Sequence, residues 1–300
     1  MGVIEEVCEL VPELRGATEV AALEGGLTNV NHRVLSPHGA FVVRVFGATS
    51  GLLAVDRDNE HHNSLAAAEA GVGAGVVAYL PEQGCLVLEL LEGVTQSPED
   101  LRRGDRLADV AAACRRLHGA RRFRDDFDMF ALQRRYRSLV RERGFRLPAG
   151  YDDFEPDMER IERALAVRAG PDVPCHNDLL AENLIDVGDG FRLIDYEYSG
   201  NNDPCFELGN LWSESGLSLE QLEQLVEAYD GVATRNRVAR ARLWGLMSKY
   251  GWTLWASIQD GVSELEFDFW AWGMEKYERA RAEFEAPELE RQLGEVTQPG

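Results

Sequence analysis

The residues of this chain best suited to chemistry lie in one short span, CHNDLLAENLIDVGDGFRLIDYEYSG, residues 175–200. Within it His176, Asp178 and Asn183 follow the pattern H-x-D-x-x-x-x-N, and the segment FRLID ends on Asp195. Moving a phosphoryl group from a nucleotide to a hydroxyl needs one carboxylate to accept or orient the hydroxyl proton. It also needs at least two oxygen ligands to hold magnesium on the nucleotide phosphates. The spacing lets a loop aim Asp178 at an acceptor while Asn183 turns back to a metal, and a strand then delivers Asp195 at its end. A satisfied loop carboxylate and a capping asparagine are the plain structural alternative.

Such a loop must be framed by regular elements. Two short strands around the turn VGDG, residues 184–186 and 191–194, are expected to carry it. Upstream, residues 1–20 read as a short amphipathic helix. LEGGLTNVNHRVL and GAFVVRVFG then read as a hairpin turned at SPHG. In the second strand Phe41, Val43 and Val45 alternate with Val42, Arg44 and Phe46. A helix follows, capped by Asp56 and ended by Gly71 or Gly73, and two strands then flank PEQG. From about residue 98 the texture becomes helical, starting with one long pattern at Ser-Pro-Glu-Asp and ending in VARARLWGLMSKYGWTLWASIQD. The boundary falls near residues 90–95, which divides the chain into 1–93 and 94–300.

The 45% hydrophobic content is enough for a sizeable core. No run of about eighteen apolar residues occurs, and four acidic residues precede the first arginine, so we expect a cytoplasmic protein without membrane insertion. Five scattered cysteines without a Cys-x-x-Cys pair read as free thiols. A net charge of −21 without a basic tract argues against a nucleic-acid partner. Lys249 and Lys276 are the only lysines, and nothing specifies an oligomeric state.

The span resembles the choline and ethanolamine kinases, within the aminoglycoside-phosphotransferase-like branch of the protein-kinase fold. HNDLLAENL, LIDYEYSGNNDPCFELGN, GGLTNVNHRV, VVRVFG and DRDNE carry the resemblance, which covers most of residues 23–280. It implies an α+β bilobal protein-kinase-like fold. A small N-terminal β-sheet lobe with one helix would face a larger, mainly helical C-terminal lobe across a hinge at about 89–94. ATP would lie in the cleft with Mg2+. By the same resemblance Asp178 is the catalytic base, Asn183 and Asp195 hold magnesium, and His176 braces the loop. GGLTNVN resembles a phosphate-covering loop in which Thr28 and Asn29 donate to phosphate oxygens; by itself Gly25-Gly26 is equally a hairpin turn. Arg44 stands where protein kinases hold a phosphate-pairing lysine, with Glu60 as its carboxylate partner. The backbone from Glu89 to Leu91 would meet the adenine edge, although an edge strand would look the same.

Five of the six tryptophans fall between residues 244 and 272. A quaternary ammonium cannot donate a hydrogen bond, so a site for it needs aromatic faces and a carboxylate. Trp252 and Trp255, three apart, share a helix face, and Trp272 could close a box from the next helix. Aromatics at helical spacing are otherwise core residues, the role expected of Trp244 and Trp270. The resemblance adds Glu214 as the ammonium-facing carboxylate. Together these point to ATP-dependent, magnesium-requiring transfer of the γ-phosphate to the hydroxyl of a small cationic alcohol, choline, which the tryptophan cluster favours. The same fold acting on ethanolamine, an aminoglycoside or a sugar is the rival, and a kinase-like module that binds without turnover is the reading from another class. A primary ammonium wants hydrogen-bond acceptors in place of aromatic faces.

Overall fold

The computed structural model describes residues 2–23 and 25–299. Its N-terminal part is an antiparallel sheet of β1 (Glu19–Leu23), β2 (Val30–Ser36), β3 (Gly39–Val45), β4 (Val76–Leu80) and β5 (Cys85–Glu89). The strand order is β1-β2-β3-β5-β4. The β3 alternation sends Phe41 and Val43 into a small core with Val34 and Val87, closed by α1 (Val3–Leu10) through Val7. Register sets Arg44 opposite Asn31 and Leu86. The helix α2 (Arg57–Glu69) begins where Asp56 accepts the Asn59 N–H at 3.0 Å and is followed by Gly71 at φ 68°.

The helix expected over residues 1–20 is corrected here. It ends at Leu10, a 3-10 turn covers Pro12–Leu14, and Glu19–Leu23 pairs with β2. Edge pairing with β2 outweighs a weak local pattern, and Pro12 cannot supply the N–H that helix continuation needs.

Beyond β5 come β6 (Val94–Thr95), α3 (Pro98–Arg102), α4 (Leu107–His118), α5 (Met129–Arg143) and α6 (Glu155–Ala166). The single helix read from Ser97 onward is therefore two. Ser97 forms the expected capping box, but Gly104 at φ 81° breaks the run. Next are β7 (Val173–Cys175), β8 (Leu184–Asp186), β9 (Phe191–Leu193) and β10 (Gly200–Asn202). The pair β10-β7 and the sheet β6-β8-β9 frame the chemically rich span. The chain closes with α7 (Pro204–Ser215), α8 (Leu219–Asp230), α9 (Arg235–Val262), α10 (Phe269–Phe284) and α11 (Glu288–Val296).

One large apolar core joins these helices and reaches up to Leu53, Val55, Ala66 and Ala67, so α2 is anchored on the helical part as well as on the sheet. Helices α7 and α9 touch backbone to backbone: a Cβ on Gly209 would lie 2.0 Å from the Ala241 carbonyl oxygen. This contact sets where Glu207 and Glu214 on α7 stand relative to the tryptophans of α9. All five cysteines are free. Among the described residues no helix is long and apolar enough to cross a membrane.

Candidate active site

Strand β7 delivers the loop. Directly after it, Asn177 sits at φ 65°, a left-handed turn that asparagine tolerates. Its amide donates to the carbonyls of Tyr198 at 3.1 Å and Gly200 at 3.2 Å, while its Oδ1 accepts from Asn202 at 2.9 Å. Beneath the turn the buried Glu207 accepts the His176 N–H at 2.9 Å and the Asn177 N–H at 3.0 Å. Burial pushes the Glu207 carboxyl up to about 7, and the two amides oppose that shift.

The His176 ring is fully buried. Nδ1 lies 3.3 Å from the Asp178 N–H and accepts it, so Nε2 carries the proton and donates to the Ile194 carbonyl at 2.7 Å. Burial lowers its pKa, which leaves the ring neutral. His176 thus ties the loop to the strand that leads into Asp195, and Asp195 itself takes a left-handed φ of 73°. Asn183, on the 3-10 turn Ala181–Asn183, donates its amide to the Asp178 carbonyl at 2.9 Å. The half-buried Asp178 carboxylate accepts no hydrogen bond from the described residues. Burial and the charges of Asp195, Glu214 and Glu197 push its pKa well above the carboxylate range, against the pull of Lys276.

On the sheet side Arg44 donates to Glu60 at 2.8 Å and to Asp195 at 2.5 Å, so the Arg44–Glu60 pair forms as expected. Arg57 donates to Glu60 at 2.6 Å, to Glu197 at 3.1 Å and to Asn29 at 2.8 Å. Thr28 and Asn29 depart from expectation. Neither is turned out as a waiting phosphate donor: Thr28 donates to Glu197 at 2.7 Å and the Asn29 amide donates to it at 2.9 Å. A buried carboxylate demands partners, and these are the nearest. Burial, with Asp195 and Glu60 nearby, still lifts Glu197 to about 7. Gln259 of α9 donates to the Leu27 carbonyl at 3.1 Å, fastening the glycine loop to the helical part.

The cavity lined by Ala74, Leu86, Leu88 and Leu193, with Arg44 and Asp195, measures ≈ 20 Å³. That is room for about one water. At the hinge, Glu89 N–H is spent on the Gly75 carbonyl at 2.8 Å, whereas the Leu91 peptide makes no backbone hydrogen bond to the described residues.

On the helical side Tyr198 links two of the expected tryptophans. Its ring meets Trp252 edge-on at 4.8 Å, and its hydroxyl accepts from Trp255 Nε1 at 2.9 Å. Trp255 meets Trp272 at 5.5 Å, also edge-on. The three rings thus share one neighbourhood, but the expected role of Glu214 needs correction. Lys276 pairs with Glu214 Oε2, and its Nζ lies 4.0 Å from the Trp272 ring centroid. The carboxylate meant for a ligand's cation already holds one, because a buried glutamate beside an α10 lysine cannot stay unpaired. Trp244 is in the core as expected and donates to Asp203 at 3.0 Å, whereas Trp270 is only half-buried, lies under Arg146 at 3.9 Å and does not join the core.

Asn183 Oδ1 and Asp195 Oδ2 accept no hydrogen bond from the described residues, and both are hard oxygen donors, which fits magnesium. The buried group His118, Cys175 and Glu207 does not fit a metal. Both Glu207 oxygens hold loop amides, and burial keeps the Cys175 thiol protonated.

A model of the phosphotransferase enzyme family matches residues 19–243. The chain belongs to this family. A choline/ethanolamine kinase family protein from Mesorhizobium loti superposes with a TM-score of 0.84 at 32% identity, over 99% of both chains. Rat (Rattus norvegicus) ethanolamine kinase 2 is 30% identical in an alignment that covers 76% of this chain and 66% of that one. This chain thus spans just under two thirds of that relative's length. The choline kinase LicA from Streptococcus pneumoniae shares the fold, with a TM-score of 0.80 at 24% identity over 94% of this chain and 98% of that one. Within the phosphotransferases, then, this chain groups with choline and ethanolamine kinases, and the α+β protein-kinase-like fold read from the sequence is the fold it has.

Four residues that shape this phosphotransferase site escaped the sequence reading. Glu207 and Glu197 lie inside quoted motifs, but nothing local says that one supports the loop and the other gathers Thr28, Asn29 and Arg57. Nothing around Tyr198 marks it as the link between two tryptophans. Lys276 carried a signal that could have been used, since a chain with two lysines among 31 basic residues has placed each for a reason.

Proposed function

We propose that this protein is a kinase that transfers the γ-phosphoryl group of ATP to the hydroxyl of a small amino alcohol, of the choline or ethanolamine type. One observation carries the reading. The unpartnered Asp178 carboxylate is within electrostatic reach both of Asp195 and of the Glu214–Lys276 pair that lies beside Trp272. Residues 1–93 and 94–300 are the two lobes, joined at 89–94. Arg44, held by Glu60, meets the phosphates; Thr28 and Asn29 cover them once Glu197 releases them; Leu91 receives the adenine edge.

Asp178 accepts the proton of the acceptor hydroxyl as its oxygen bonds to phosphorus and the bond to ADP breaks. A carboxylate with a raised pKa is a better base near neutrality. His176 and Asn183 fix the loop so that this oxygen is in place beforehand. Asn183 and Asp195 would hold magnesium, which would supply positive charge to the phosphates.

The test is ATP consumption with magnesium against ethanolamine, choline, an aminoglycoside and simple sugars, with Asp178→Ala as the blank. Turnover on an amino alcohol that falls by about a thousandfold in the variant is expected. Turnover confined to a sugar or an aminoglycoside, or none despite nucleotide binding, overturns the reading.

A further inference from the structure

An ammonium group is held by two things, an aromatic face and a carboxylate. At Trp272 and Glu214 both are engaged by the chain itself. Lys276 Nζ lies 4.0 Å from the Trp272 centroid and is paired with Glu214 Oε2, with the lysine and glutamate side chains only 5% and 8% exposed. The other lysine repeats the arrangement: Lys249 Nζ is 5.0 Å from the Trp212 ring and 2.5 Å from Glu283. What differs is the carboxylate, since Glu283 is 31% exposed and Glu214 only 8%. Glu214 Oε1 is buried with no hydrogen-bond partner, and Trp252 Nε1 is likewise a buried donor without an acceptor. A buried carboxylate oxygen in that state demands an N–H or O–H. Lys276 and Glu214 are also among the charges that act on Asp178, so this opening adjoins the reaction centre.

A quaternary ammonium is the wrong occupant for such an opening. It has no N–H for Glu214 Oε1, and it would press its charge against that of Lys276 over a ring face already covered. A primary ammonium has three N–H donors and can share Glu214 with Lys276, one oxygen each. With Asp178 opposite, two carboxylates then balance two cations. Resting on the amino-alcohol kinase reading above, we propose that Lys276 determines acceptor specificity. By covering Trp272 and leaving Glu214 Oε1 as the contact, it selects an alcohol bearing a primary ammonium over one bearing a quaternary ammonium.

The experiment pairs binding with turnover. Calorimetric Kd values for ethanolamine and choline, in the presence of magnesium and a non-hydrolysable ATP analogue, are measured alongside kcat/KM for the intact wild-type protein, Lys276→Met and Lys276→Arg. Wild type is expected to favour ethanolamine by about thirtyfold, the equivalent of a desolvated cation–π contact of ~2 kcal/mol. Lys276→Met uncovers Trp272 and should bring choline to parity or better, while Lys276→Arg keeps the cation and the preference. Wild type favouring choline, binding neither amine, or an unchanged ratio in a folded Lys276→Met overturns the proposal. If Lys276→Met fails to fold, the wild-type ratio and Lys276→Arg decide. A primary-ammonium preference in binding without turnover of either alcohol would overturn the kinase reading and leave the specificity assignment supported.

Discussion

The two sides of the cleft solve the same electrostatic problem with different side chains. On the sheet side Arg44 bridges Glu60 and Asp195, and Arg57 bridges Glu60, Glu197 and Asn29. Each guanidinium serves several acceptors, and Glu60 and Glu197 are in turn held from more than one direction. On the helical side Lys276 serves one carboxylate and one ring, and Lys249 does the same a short way off. A planar fork fixes geometry, whereas an ammonium on a flexible stem is a movable point charge. The sheet side therefore reads as a fixed framework for a constant ligand. The helical side is a place where one substitution retunes what is bound.

That contrast can be broken. Arg44→Met should be the most damaging change, costing about 3 kcal/mol of stability by stranding buried acceptors and lowering kcat/KM for ATP. Chemical unfolding and ATP kinetics check both. Lys249→Met should cost only about 1 kcal/mol, because Glu283 is 31% exposed and can turn to water. Equal losses in the two variants would erase the distinction between arginine framework and lysine periphery.

Two further changes sharpen it. Gly209→Val drives a side chain into the α9 backbone and should destabilise by about 1–3 kcal/mol. Because it shifts Glu214 against the tryptophans, KM for the acceptor should rise more than KM for ATP. Glu207 gives a smaller, pH-dependent signal. Its carboxyl is raised from 4.5 to about 7 in the fold, so the folded state favours the protonated form. Its stabilising contribution is complete below about 4.5 and is lost as pH rises through about 7. Wild-type melting temperature should therefore fall over that window more steeply than that of Glu207→Gln. Parallel pH profiles would show that Glu207 does not titrate there.

Much of this was legible in the residues. The β2-β3 hairpin, the Asp56 cap, the strands beside PEQG and the span from His176 to Asp195 are written in local signals such as turn residues, alternation and fixed spacing. The Arg44–Glu60 pair came from the family resemblance, on a strand and a helix that the local pattern had placed. What stayed hidden depends on partners far apart in the chain. β7 and β10 are three residues each and exist only because Cys175 meets Gly200. Glu197 gathers residues from the first sixty positions, and Lys276 reaches across from α10 to Glu214 on α7. Spacing cannot show that a carboxylate is already occupied. The aromatic cluster was found correctly, but whose cation it holds is a matter of packing between three helices.

Helix α9 has one more consequence. It runs 28 residues without a break, on the order of 40 Å of rigid rod. Trp252 and Trp255 lie at the proposed acceptor site, and one turn further along Gln259 grips the Leu27 carbonyl in the glycine loop. The two substrate sites are thus gauged by a single ruler. A tilt of the rod that makes room at the tryptophans changes its reach to the loop, and lifting the loop frees the end of the rod. Each substrate, on arriving, resets the measure against which the other is fitted.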